Sequence, residues 1–201
     1  MQPMKFRKKV VLAKIESTYG TDAAPTGAEN AIQLSDVAIT PMEAQMIQRG
    51  IVRPTLGAEG SIAVGIHVIL EFAVEVAGSG TAGEVPPWGV LMRGCGMAEV
   101  MDPDTEVRYL PVSDDEESVS ILFNIDGNKH ALLGARGNFT LDLESPGIPR
   151  WRYRFVGLWS DPISAPMPSI DLSAWQAAMA VSNANTPTFS LHGYEAVMKR
   201  I

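Results

Sequence analysis

The stretch with most apparent chemistry is Gly78-Ser79-Gly80-Thr81-Ala82-Gly83, spaced G-x-G-x-x-G behind an apolar strand. In a dinucleotide-binding fold such glycines let backbone N–H groups meet a pyrophosphate at a helix N-terminus. The setting here argues against that use. Pro86-Pro87 stand where the helix should already be running, and Glu71 and Glu75 lie on one face of the preceding strand, whereas a central parallel strand is buried on both. The loop is expected to be a flexible connection, with no cofactor. His67, His130 and His192 lack a partner at i+2 to i+4 that would make a metal pair. Cys95, the only cysteine, falls on an apolar stripe and reads as a small buried hydrophobe. There is no G-x-S-x-G elbow and no H-E-x-x-H, and nothing marks a catalytic pair among the carboxylates. No catalytic, cofactor-binding or metal residue is expected, and the chain is not expected to be an enzyme.

Charge patterning offers more. Asp114-Asp115-Glu116-Glu117 is an acidic run, read first as a solvated loop. It reads alternatively as a negative ring at a pore if copies repeat around an axis; Glu71 and Glu75 have the same claim, so Glu71, Glu75, Asp114 and Asp115 are the acidic lumen candidates. Arg150, Arg152 and Arg154 share one face of a strand. Three like charges at that spacing need carboxylates on a neighbouring strand or on another subunit, which makes them subunit-interface candidates, with a phosphate-binding stripe as the alternative.

The elements that must position these residues are mostly strands. A first strand is expected at 9–15, followed by a loop rich in Gly, Pro, Thr and Asp. Strands follow at 31–40 and 43–52, and then a loop or hairpin tip at 53–61. The segment 66–76 alternates strictly: Ile66, Val68, Leu70, Phe72, Val74 and Val76 on one face, and His67, Ile69, Glu71, Ala73 and Glu75 on the other. That is a sheet strand with one buried face. A short helix is expected within 86–96, begun by proline and stopped by Gly96, with Trp88, Leu91, Met92 and Cys95 as its stripe. Strands are expected at 106–112, 117–125, 129–133, 137–143 and 148–158, with Asp126-Gly127 as a two-residue turn. The segment 174–180 reads as a helical turn, and 188–201 as a last strand. The fold class is mainly β: an antiparallel sandwich or barrel with one short flanking helix and a long projecting hairpin loop.

Length suits a single domain over 1–201. Its parts would be an N-terminal arm, strand and loop (1–30), the hairpin tip (53–61), the helix (86–96) and a C-terminal extension with the last strand (160–201). The net charge of −7 disfavours tight nucleic-acid binding, which depends on Lys and Arg neutralising phosphates; it suits a wall past which DNA moves without sticking. A lone cysteine makes no internal disulfide and suits a reducing cytoplasm. The basic N-terminus leads into too short and polar a stretch for a signal peptide, and no run of about 20 apolar residues exists to span a membrane.

Several segments in matching order resemble the major tail tube proteins of siphophages, the long-tailed bacteriophages. They are Ala13-Lys14-Ile15-Glu16-Ser17-Thr18-Tyr19-Gly20-Thr21-Asp22 with Pro25-Thr26-Gly27, and Trp88-Gly89-Val90-Leu91-Met92-Arg93-Gly94-Cys95-Gly96. Asp126-Gly127 with His130 and Leu132-Leu133-Gly134-Ala135-Arg136-Gly137 fit as well, as do Arg152-Tyr153-Arg154-Phe155-Val156-Gly157-Leu158 and Ala184-Asn185-Thr186-Pro187-Thr188-Phe189-Ser190-Leu191. The resemblance implies the tail-tube fold, shared with type VI secretion tube proteins. It also implies hexameric rings whose sheets merge into an inner barrel, stacked into a tube that conducts double-stranded DNA without specific binding. A long loop would reach the next ring; here that is the tip from 53 to 61, with Arg53, Pro54, Leu56 and Glu59 as contact candidates. Partners would be further copies of the chain, the tape measure, the tail terminator and the tail tip, in a virion tail assembled in the host cytoplasm. The alternatives are another tail component on this fold, a terminator or baseplate hub, and a small-ligand-binding barrel using Gly78 to Gly83.

Overall fold

The computed structural model describes residues 5, 7–52, 54, 57, 60–182, 184–185, 188 and 190–195. In chain order the strands are β1 (Lys9–Ile15), β2 (Ala31–Ile32), β3 (Ser35–Gln48) and β4 (Ser61–Glu75), followed by the helix α1 (Gly89–Arg93). Then come β5 (Met97–Asp102), β6 (Glu106–Pro111), β7 (Val119–Ile125), β8 (Asn128–Asp142), β9 (Arg150–Leu158) and β10 (Ile163–Ser164). A terminal hairpin, β11 (Ser190–Leu191) and β12 (Tyr194–Glu195), completes the described chain. The expected antiparallel β architecture with one short helix is what the chain adopts.

The main sheet runs β2-β1-β7-β8-β9-β4-β3, with β10 also on β8; β5 and β6 pair separately. β8 carries the architecture. Its first part pairs with β7 from Asn128 to Ala135, and its second part pairs with β9 from Leu133 to Asp142. The register shifts between Leu133 and Arg136, at Gly134 with φ 58°. A side chain at Gly134 would be strained at that φ, and its Cβ would lie 2.9 Å from the Tyr19 ring, so glycine serves both the bulge and the close approach. The bulge lets one sheet fold over itself into two layers. Val11 and Ala13 of β1 and Val119, Ile121 and Phe123 of β7 share one buried cluster with Val68, Leu70, Phe72 and Val74 of β4 and Tyr153 and Phe155 of β9. α1 plugs this core with Leu91 and Met92, beside the buried Trp88, whose Nε1–H donates to the Ala77 carbonyl at 2.7 Å. Gly94 fits there because a Cβ would come within 2.4 Å of Val119.

The expected elements differ from the observed ones where bulges intervene. The strands expected at 129–133 and 137–143 are one strand, β8, bent at Gly134. Those expected at 31–40 and 43–52 are divided not at Pro41 but between Ile32 and Ser35. Pro41 sits inside β3, tolerated because β3 is the edge of the sheet and needs no N–H there; the register slips between Thr40 and Glu43. β5 was not anticipated, since Met-Ala-Glu-Val-Met-Asp lacks strict alternation. The segment 174–180 is not helical: it is a strap, with Trp175 Nε1–H donating to the Ala31 carbonyl at 3.1 Å. Of the expected last strand, 190–195 forms the small hairpin and 196–201 lies outside the described residues.

Glu16 holds the bulge. Its carboxylate is buried at the end of β1 and accepts hydrogen bonds from Gly20 N–H, Ser118 Oγ–H, Ser120 Oγ–H and Gly134 N–H, at 2.7–2.8 Å. Burial pushes its pKa up, but the bonds from Ser118, Gly134, Ser120 and Gly20 together outweigh burial and hold it below the ordinary 4.5. The carboxylate thus joins the loop after β1, β7 and the bend of β8. Glu16→Ala is expected to lower stability by roughly 2–3 kcal/mol at pH 7, since buried donors lose their acceptor. The folded-state pKa lies below the unfolded one, so this stabilisation is full above about 4.5 and fades as pH falls through the folded value. The gap between denaturant titrations of the two proteins should therefore narrow in acid; a pH-independent gap would contradict this role for the carboxylate.

Candidate functional site

The groups that suggested chemistry are placed in structural roles. Gly78–Gly83 connects β4 towards α1, but α1 begins only at Gly89. The loop packs against the β5–β6 turn, where a Cβ at Gly83 would lie 2.4 Å from the Asp104 nitrogen. It lines an open cleft of about 370 Å³ with Trp88, Thr105 and Tyr109. His67 Nδ1 lies 2.7 Å from the Gly65 carbonyl oxygen. His130 is half-buried beside the Phe123 ring, 6.1 Å between centroids, and burial pulls its pKa down. His192 occupies the turn of the terminal hairpin. Among the described residues no three His, Cys, Asp or Glu side chains are grouped as a metal site would require, and no helix is long and apolar enough to cross a membrane. Burial against the core pushes the Cys95 thiol up to about 12, so at neutral pH it is an unreactive thiol.

The charged residues form a site of another kind. The second half of β8, then β9, β4 and β3, make a four-stranded antiparallel wall. Its inner face is the core. Its outer face follows from the register: Glu71 is opposite Arg154, Ala73 opposite Arg152 and Glu75 opposite Arg150 across β4–β9. Across β8–β9, Asn138 is opposite Arg154, Thr140 opposite Arg152 and Asp142 opposite Arg150. Arg154 Nε lies 3.2 Å from Glu71 Oε1 and Arg152 Nε lies 3.1 Å from Asp142 Oδ2. Asp36 Oδ2 lies 3.7 Å from Arg150 and 3.9 Å from Arg152. The carboxylates that the arginine row was expected to need thus come from β4, β8 and β3 of the same chain. Glu71, Glu75, Arg150, Arg152 and Arg154 are brought onto one face.

Asp114 and Asp115 are elsewhere, in the loop before β7. They line a cleft beside α1 and β5 with Arg93 and Glu117, and Arg93 donates to both Glu117 oxygens at 2.6 Å. Asp36 and Asp142 were not singled out from the sequence. Asp142 carried a readable signal, standing on the same alternation as Asn138 and Thr140 within an expected strand. Asp36 carried none, because its φ of 51° and the irregular register of β3 bring it to the face.

Two features leave this wall incomplete. Among the described residues, β3 has no neighbour on its outer side, and the second half of β8 is paired only with β9, apart from one bond from Gly137 N–H to the Gly94 carbonyl. Beyond the body, the β3–β4 ladder continues out to Gln48–Ser61 as a two-stranded ribbon, exposing Met42, Met46, Ile47, Ile62 and Ile66. At its tip Pro54 and Gly57 are in bends, whereas Arg53, Leu56 and Glu59 lie outside the described residues.

The chain matches the family model described as phage tail tube protein over residues 7–197. Among solved structures, the cryo-EM structure of the anti-feeding prophage cap, a tube terminating cap, matches with a TM-score of 0.46 at 8% identity, over 82% of this chain and 93% of that one. No curated protein matches.

The Glu71–Arg154 pair is solvent-exposed, so its worth is small. Glu71→Lys, which sets like charges opposite each other, is expected to destabilise the free subunit by about 0.5–1 kcal/mol, and Arg154→Glu in the same chain is expected to restore most of it. A denaturant-based double-mutant cycle checks this; additive losses would show that the pair is not coupled.

Proposed function

We propose that the chain, which belongs to the phage tail tube protein family, is the repeating subunit of the tube itself. Membership makes it a structural component of a phage tail that assembles with other tail proteins. The finer reading is that it forms hexameric rings, that the rings stack into a hollow conduit, and that double-stranded DNA leaves the capsid through the lumen.

The observation that carries this reading is the four-stranded wall with two open edges. An exposed edge is a template for another strand. β8 and β3 run in opposite directions at the two margins, because an even number of antiparallel strands separates an up strand from a down strand. The β3 edge of one copy can therefore pair antiparallel with the β8 edge of the next, and the sheet continues around a ring without a break in pattern. Head-to-tail contacts of this kind close into rings when the rotation allows. The outer face then lines the lumen, with Glu71 and Glu75 and, beside them, Arg150, Arg152 and Arg154.

The ribbon supplies the second contact. A two-stranded hairpin is marginal in water on its own, and this one exposes apolar side chains on both faces, Met46 on one and Ile47 with Ile62 on the other, a surface suited to being covered. Met42, Met46, Ile47, Ile62 and Ile66 would be covered by a neighbouring copy, and the tip at 53–61 would reach the adjacent ring. Assembly would take place in the host cytoplasm, with the tape measure, terminator and tail tip as partners.

Negative-stain electron microscopy of the concentrated protein, with tail-tip initiator complexes added, is expected to give hollow tubes with six-fold end views. Rings that stop at one layer would assign the chain to a terminator, and uniform monomers would overturn the tube reading. Replacing 53–60 by a short turn is expected to preserve the fold, seen by circular dichroism, while abolishing stacking. Long tubes from that variant would remove the tip from the inter-ring contact.

A further inference from the structure

Arginine binds carboxylate and phosphate through the same planar fork of donors. Arg150, Arg152 and Arg154 stand on alternate positions of one exposed face, their side chains 32%, 48% and 48% accessible. This is the arrangement of a polyanion track, yet each guanidinium has a carboxylate of the same chain within 4 Å. Arg154 faces Glu71, Arg152 faces Asp142 and Asp36, and Arg150 faces Asp36. With Glu75, which stands opposite Arg150, four acids surround these three arginines. Asn138 and Thr140 add uncharged hydrogen-bonding groups to the shallow cleft of about 340 Å³ between Asp36, Glu71, Arg152 and Arg154.

We propose that the arginine row is a latent binding site for the phosphates of duplex DNA, and that Asp36, Glu71 and Asp142 hold it closed by pairing with the guanidinium groups at 3.1–3.9 Å. The carboxylates act as internal stand-ins for phosphate. Because each arginine is matched by a carboxylate within 4 Å, the row acts at longer range as a set of dipoles with little net charge, and the remaining field is screened within about 10 Å at 0.1 M salt. DNA sliding past meets neither a strong attraction nor a strong repulsion. The meaning of the device rests on the reading that this face lines a conduit, but the masking itself is a property of the single chain and is tested there.

The experiment measures the affinity of the purified full chain for a short DNA duplex by fluorescence anisotropy across a salt series. The wild type is expected to bind weakly with a shallow salt dependence. The triple variant Asp36→Asn, Glu71→Gln, Asp142→Asn is expected to bind at least about tenfold more tightly at low salt. The slope of log affinity against log salt should steepen by about three, near 0.9 for each freed arginine. Adding Arg150→Gln, Arg152→Gln and Arg154→Gln should cancel the gain. The charge-matched control Glu84→Gln, Asp102→Asn, Asp104→Asn, drawn from exposed positions off the wall, should not reproduce it. A triple variant that binds as the wild type does, or a control that gains as much, overturns the inference. If thermal unfolding shows that the triple variant does not fold, Glu71→Gln alone frees Arg154 and should steepen the slope by about one; an unchanged slope overturns the inference equally. Ring formation is scored separately by microscopy, so lack of a DNA gain leaves the tube reading standing, and lack of rings leaves the masking standing.

Discussion

The architecture depends on one change of partner. β8 is too long for either neighbour alone, so it serves β7 with its first half and β9 with its second, and the bend between the halves must be held. Gly134 provides the backbone conformation, and the Glu16 carboxylate accepts its N–H together with bonds from Ser118, Ser120 and Gly20. Burying an acid is costly unless its oxygens are hydrogen-bonded, and here four donors converge on it. From this bend follows the doubled sheet, and from the doubled sheet the core between its layers. The same bend takes the second half of β8 away from β7 and leaves that strand with an open side.

An open strand edge and a two-stranded apolar ribbon are both liabilities in a free subunit. The open edges belong to opposite margins of one wall and run in opposite directions, as antiparallel pairing between copies requires, and the ribbon is the outward continuation of the β3–β4 ladder. Both features are therefore read as halves of contacts that a second copy completes. The outer face between the two edges shows the opposite treatment, with each of its three central arginines paired to a carboxylate of the same chain. Edges left open and a face left closed are what a subunit needs if copies join side by side around a surface to which nothing should adhere.

Much of this was legible in the residues. The alternation from Ile66 to Val76 predicted the buried face of β4, and Val68, Leu70, Phe72 and Val74 are indeed in the core. The Arg-x-Arg-x-Arg pattern of β9, interleaved with Trp151, Tyr153 and Phe155, gave its two faces correctly, and Asp126-Gly127 marked the β7–β8 turn through its tolerance of positive φ. Long-range pairings were not legible. Nothing near Glu16 in the sequence announces that Gly134 and Ser118 will meet it, and its carboxylate looks like any surface acid until the fold removes it from water. The strands at 129–133 and 137–143 looked separate because the glycines that signal a loop also serve a bulge. The partner of the arginine row could be specified by charge but not by position: Asp36 reaches it only through the irregular backbone of an edge strand.

The most direct test of the merged wall is hydrogen exchange of the backbone amides, compared between free subunits and assembled material. If β3 of one copy pairs with the second half of β8 in the next, outward-facing amides of β3 and of residues 138–142 exchange freely in the subunit and become protected together on assembly. Those of β4 and β9, bonded within the chain, change little. Assemblies in which both edges still exchange at the free-subunit rate would contradict the merged wall and require copies to associate through other surfaces.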